Sequence, residues 1–152
     1  MAGEPTGFLH ELKVLDLTHY AAGPYATRLM AGQGAEVIKV ERVDGGDPSR
    51  RIGPFAGGAP HREKSALFLY LNTGKKSVTL NLKTSTGRSI LRDLVRWADV
   101  LVENFHPRVL PSLELDYDRL SRINPGLVMT SISNFGQTGP YRDYQAREIN
   151  LY

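Results

Sequence analysis

"KVLDLTHYAAGPYATRLMAGQGAEVIKVE", residues 13–41, decides the fold. Two runs rich in Val, Ile and Leu, KVLDL (13–17) and EVIKVE (36–41), flank YATRLMAGQG (25–34), where Tyr25, Leu29 and Met30 recur at helical spacing. Gly32 and Gly34 act as stop signals for that helix. Nearly continuous apolar runs are typical of strands buried on both faces. The stretch therefore reads as strand, helix, strand, with an acidic residue, Glu41, closing the second strand.

The alternation continues downstream. DVLVEN (99–104) and LVMTSIS (127–133) are further strands. TSTGRSILRDLVRWA (84–98) precedes the first of them, with Ile90, Leu91, Leu94, Val95 and Ala98 on one helical stripe and Thr84 or Ser85 as the N-cap. DYDRLSRINPG (116–126) precedes the second and reads as a short helix stopped by Asn124, Pro125 and Gly126. Strands alternating with helices imply a parallel sheet covered on both faces. Two stretches break the pattern. Residues 43–63 hold eight Gly and Pro residues without periodicity and read as a long surface loop. ALFLYLNTGKKSVTLNLK (66–83) reads as two strands around a turn at NTGK. The expected fold is α/β: a Rossmann-like open parallel sheet with helices on both faces, with residues 1–152 as one domain.

Bulk properties narrow the class. A chain of 152 residues, 41% hydrophobic and 23% charged, suits a folded globular domain. No apolar run is long enough for a membrane span, and MAGEPTGFLHELK has no apolar signal core. The absence of cysteine excludes disulfides and thiolate chemistry and fits a cytoplasmic location. A net charge of +3 suits an anionic ligand as well as simple solubility. The basic residues are scattered without interleaved aromatics, so no nucleic-acid face is expected. The abrupt apolar ending EINLY reads as a piece of a longer chain.

Several motifs fail when tested. A dinucleotide fingerprint needs G-x-G-x-x-G to bring backbone close to a pyrophosphate. THYAAGPY offers only Gly23, followed by Pro24, which removes an N–H from the helix start. Glu41 stands where a ribose-binding acid would, though a solvated end residue is the plainer reading. NTGKKS lacks the glycine and the Ser or Thr of a phosphate-binding P-loop, since Leu69 and Lys76 occupy those positions. It reads instead as a turn with two exposed lysines. His10, His19, His61 and His106 show no metal spacing, and no G-x-S-x-G elbow is present. One arrangement remains: THYAAGP, ERVDGGDPSR, NFHP and NFGQTGP each follow a predicted strand at its carboxyl end. In an open parallel sheet, ligands bind in the crevice beyond those ends.

Four blocks, in order and spacing, resemble the N-terminal part of the family III CoA-transferases, a group that includes formyl-CoA and carnitine-CoA transferases and alpha-methylacyl-CoA racemases. They are LKVLDLTHYAAGPYATRLMAGQGAEVIKVERVDGGDPSR, NTGKKSVTLNLKTSTGR, ADVLVENFHP and INPGLVMTSISNFGQTGPYRDY. The resemblance runs from about Leu12 to Tyr152. It implies the N-terminal part of the large CoA-transferase domain, with coenzyme A rather than NAD as the ligand. Ala21 and Ala22 would line the CoA site through their backbone. Arg42 and Lys83 match basic positions that contact CoA, and Asn104, Phe105 and His106 match the segment after the third predicted strand. Cations there suit the 3′-phosphate and diphosphate, because charge-assisted hydrogen bonds are the strong ones. Ser112 stands where some transferases place a basic residue.

The resemblance also bears on the reaction. Racemases of this group carry a His-Asp pair before IN, whereas AREIN places Arg147 and Glu148 there. Glu148, an accessory carboxylate in some transferases, favours transfer over racemisation, and Arg147 joins the binding set. The family's attacking aspartate, which forms a mixed anhydride with the acyl group, lies beyond residue 152; no aspartate from Asp16 to Asp143 matches its motif. The resemblance thus implies transfer of CoA from an acyl-CoA to a carboxylic acid, with a homodimer at full length and no metal. A non-catalytic CoA or nucleotide-binding module and an acyl-CoA racemase are the alternatives.

Overall fold

The computed structural model describes residues 7–146. Within them the elements run β1 (Lys13–Asp16), α1 (Ala22–Gly32), β2 (Glu36–Glu41), a 3-10 turn (Pro48–Arg51), α2 (Ala66–Asn72), β3 (Lys76–Thr79), α3 (Ser85–Trp97), β4 (Val100–Glu103), α4 (Val109–Ser112), α5 (Tyr117–Ile123) and β5 (Val128–Ser131). Every strand pairing is parallel, and the order is β3-β2-β1-β4-β5. β1 lies at the centre, where Leu15 stands between Ile38 of β2 and Leu101 of β4.

The period-two alternation of the strands sorts the core into two layers. Val14, Val37 and Val102 face Met30 and Ala31 of α1. Leu15, Val40 and Leu101 face Leu91 and Val95 of α3 and Leu120 of α5. The chain therefore has the α/β architecture expected, with helices on both faces. Helix α3 starts where the sequence places it, with Thr84 Oγ1 accepting a hydrogen bond from Gly87 N at 3.1 Å. Its stripe buries Leu91, Val95 and Ala98, while Ile90 faces solvent.

Helix α1 packs through small residues, burying Gly23, Pro24 and Thr27. Of the residues that carry its apolar periodicity, Met30 packs inward, while Tyr25 and Leu29 are exposed. A Cβ on Gly23 would lie 2.3 Å from Thr18 Cγ2, so glycine is what lets the helix begin against the end of β1.

Two sequence expectations are corrected. Residues 66–72 form helix α2, not a strand. Ser65 caps it, accepting from Phe68 N at 3.2 Å, and Phe68 and Leu71 turn inward at a spacing of three. A six-residue apolar run does not by itself separate strand from helix; the capping serine was the discriminating signal. The 43–63 segment is not wholly superficial either, for Asp47 and Ser49 are fully buried. Ser65 Oγ lies within hydrogen-bonding distance of Ser49 O and Ile52 O, holding the returning chain to the turn. Among the described residues no helix is long and apolar enough to cross a membrane.

Candidate functional site

The chain leaves β1 towards β2 on one side and reaches β4 on the other, so the crevice beyond β1 and β4 is the switch point of the sheet. Asn104, just after β4, bridges it. Its Oδ1 accepts from His19 N at 2.8 Å and its Nδ2 donates to His19 O at 2.9 Å. His19 and Phe105 then stand side by side, with ring centroids 5.5 Å apart.

These two rings separate two adjoining clefts and line both. The first, of about 450 Å³, lies beyond β1, β2 and β3, with apolar lining from Leu17, Val40 and Leu80 and exposed charged groups at Arg42, Asp44 and Lys83. The second, of about 560 Å³, lies beyond β1, β4 and β5 and is lined by Ala21, Ala22, Asn104, His106, Phe135 and Arg142, among others. Helix α1 opens onto the second cleft without a side-chain cap, so the positive end of its dipole is not already neutralised there.

The cations differ in how they are held. Arg42 grips Asp44 through Nε at 2.9 Å, a surface pair that raises the arginine's already high pKa. Among the described residues the Lys83 ammonium has no hydrogen-bond or ion-pair partner. His19 is pushed below its ordinary pKa by burial, so it is neutral at pH 7, and its Nε2 has no partner among the described residues.

Beneath the clefts lies a set of buried charges. Glu41 is not a solvated end residue, and its oxygens are not open to a ribose. Arg50 binds both of them, at 2.7 and 2.8 Å, and Asp47 N and Ser77 Oγ donate to them as well. Burial alone would raise the Glu41 pKa; the bonds from Arg50, Asp47 N and Ser77 override it and hold it at about 2. The turn at NTGK is present, but only one of its two lysines is exposed as expected. Lys76 is exposed, but the side chain of Lys75 is buried and donates to Asp16 Oδ2 at 2.9 Å, Pro24 O at 2.8 Å and Asn72 Oδ1 at 2.8 Å. Burial lowers the Lys75 pKa to about 8 in spite of Asp16.

Residues 9–151 match the family model described as CoA-transferase family III. The chain belongs to CoA-transferase family III. The acetyl-CoA:oxalate CoA-transferase of Acetobacter aceti is 43% identical over 143 residues, spanning 94% of this chain and 36% of that protein. The succinate–glutarate CoA-transferase of Agrobacterium fabrum is 44% identical over 138 residues, spanning 90% and 34%. The crystal structure of a CaiB/BaiF family protein from Brucella suis superposes with a TM-score of 0.84 at 39% identity, spanning 94% of this chain and 38% of that one. The chain thus spans about a third of the length of these curated relatives.

The positions singled out by the likeness to family III fall into the two clefts. Arg42 and Lys83 line the first, Ala21, Ala22, Asn104 and His106 the second, and Phe105 both. Asn104 is present at the site, but its amide is already engaged by the His19 backbone. Ser112 lines neither cleft; its hydroxyl donates to Val109 O at 2.7 Å. Arg147 and Glu148 lie outside the described residues. Sequence reading missed His19, set aside as a histidine without metal spacing, although its place directly behind the first strand was the available signal. It also missed Arg142, a basic residue of the second cleft with no local motif to mark it.

Proposed function

We propose that this chain is the CoA-binding part of a family III CoA-transferase, an enzyme moving coenzyme A from an acyl-CoA thioester to a carboxylic acid. The observation that carries the proposal is the pair of joined clefts at the switch point, cationic on one side and continuous past His19 and Phe105 with a second, more polar chamber. A ligand with an anionic nucleotide at one end and a reacting thioester at the other needs such an arrangement. Arg42 and Lys83 supply charge for the phosphates, Phe105 a flat apolar wall, and the backbone of Ala21 and Ala22 the approach to α1. Glu148 assists at the reacting end, Arg147 joins the binding set, and the attacking aspartate comes from a segment outside residues 1–152. The full-length enzyme acts as a homodimer.

Calorimetric titration of the chain tests the ligand. CoA should bind, ADP should compete with it, and binding should weaken as salt rises, because the phosphate contacts are screened. Tighter binding of NAD than of CoA would sink the proposal.

A further inference from the structure

A buried ion pair beneath the loop joining β1 to α1 has no part in the CoA contacts just proposed. The Lys39 and Asp47 side chains are 1% and 0% exposed, with Lys39 Nζ 2.9 Å from Asp47 Oδ2. Each also reaches the loop above. Lys39 Nζ donates to Thr18 O at 2.8 Å, and Asp47 Oδ1 accepts from Tyr20 N at 3.3 Å. Asn104 holds the intervening His19 at both its N–H and its carbonyl. Three consecutive residues are therefore fixed through their main chain from below and from the side.

The last of the three is strained. Tyr20 has φ 65°, in the left-handed region that non-glycine residues avoid. Such a conformation persists only where its surroundings dictate it, and it concentrates where a loop has a task. Packing alone does not call for two buried charges, since apolar side chains of similar volume commonly fill such a site at no loss of stability. Asp47 belongs to the 43–63 segment, and its Oδ1 also accepts from Ser49 N at 2.8 Å. The pair thus joins that segment to the wall of the second cleft.

We propose that Lys39 and Asp47 are positioning residues, clamping the β1–α1 loop so that His19, Ala21 and Ala22 present a preformed wall to the ligand. The ligand in this statement rests on the CoA proposal above; the clamp itself does not.

The test uses the whole 152-residue chain and the double variant Lys39→Met/Asp47→Leu, which leaves neither charge buried alone and removes the acceptor from Tyr20 N. Hydrogen exchange should quicken by roughly tenfold or more at His19 and Tyr20, while Leu15 and Leu101 in the central strands keep their protection. CoA should bind roughly fivefold or more weakly. Unchanged exchange at His19 and Tyr20 overturns the clamp. So does an equal loss across the whole sheet, which would make the pair a support of the fold alone. A second measurement needs no variant: adding CoA to the unaltered chain should leave exchange at His19 and Tyr20 nearly as it was. A large gain in protection there would mean that the ligand orders the loop, and the proposal fails. If the unaltered chain binds no CoA, the ligand assignment falls, while exchange at these two amides still decides the clamp.

Discussion

Glu41 shows how far one residue's role depends on partners distant in sequence. Its place at the end of β2 suggests a solvated carboxylate or a ribose ligand, yet Arg50 and Ser77 occupy both oxygens. Because its folded pKa of about 2 lies below its ordinary 4.5, Glu41 contributes stability that is fully present above pH 4.5 and lost as pH falls through 2. The shift corresponds to on the order of 3 kcal/mol. Denaturant titrations of Glu41→Gln should show lower stability at pH 7 and a shallower decline towards pH 2 than the unaltered chain. At the binding surface, Arg42→Ala should weaken CoA by about 1.5–3 kcal/mol, the scale of a hydrogen bond to a charged group. Asp44→Asn should do the opposite, tightening CoA by up to about 1 kcal/mol, since Asp44 competes with phosphate for Arg42. Calorimetry on both variants checks the pair, and an Arg42→Ala variant that binds like the unaltered chain would remove Arg42 from the site.

At the scale of elements, α1 is placed by what it lacks. Gly23 leaves room for Thr18, whose hydroxyl donates to Asp16, and Thr27 Oγ1 reaches the other oxygen of Asp16 at 2.7 Å. The helix is thus seated by close approach, a buried carboxylate and Met30, while Tyr25 and Leu29 of its apolar periodicity face outward. Gly23→Ala should destabilise the chain by about 1–3 kcal/mol through overpacking and also lower CoA affinity, because the loop that moves carries His19 and Ala21. A melting curve and a CoA titration on one sample test both effects. Helix α3 offers a control remote from the second cleft. Thr84→Ala should cost about 1 kcal/mol by loss of the cap while affecting thermal stability more than ligand binding.

Among the described residues, two adjoining clefts separated by His19 and Phe105 lie beyond the carboxyl ends of the five-stranded sheet. For the CoA thioester proposed here to react, a carboxylate nucleophile must reach the acyl carbonyl, and misplacement by about 1 Å can cost on the order of a hundredfold. The 152-residue chain incubated with acyl-CoA donors and hydroxylamine should therefore yield no hydroxamate and no acylated residue by mass spectrometry. Multiple turnovers, or an acyl group trapped on any of its carboxylates, would show that the nucleophile lies within these residues.

The sequence by itself determined the α/β class, the positions of β1 to β5, helices α1, α3 and α5, and the family. Hydrophobic periodicity, caps and four ordered blocks are local signals, and they survive without knowledge of what packs where. The apolar run 66–72 does not by itself separate strand from helix, and its local cue, the capping Ser65, is realised as a helix start in the tertiary structure. Only that structure decided that Asp16, Lys39, Glu41, Asp47 and Lys75 are interior, since a charge is buried only where another chain segment supplies its partner. The division of the crevice into two clefts by His19 and Phe105 is likewise tertiary. Those rings are far apart along the chain, and they meet because β1 and β4 are neighbours at the switch point of the sheet.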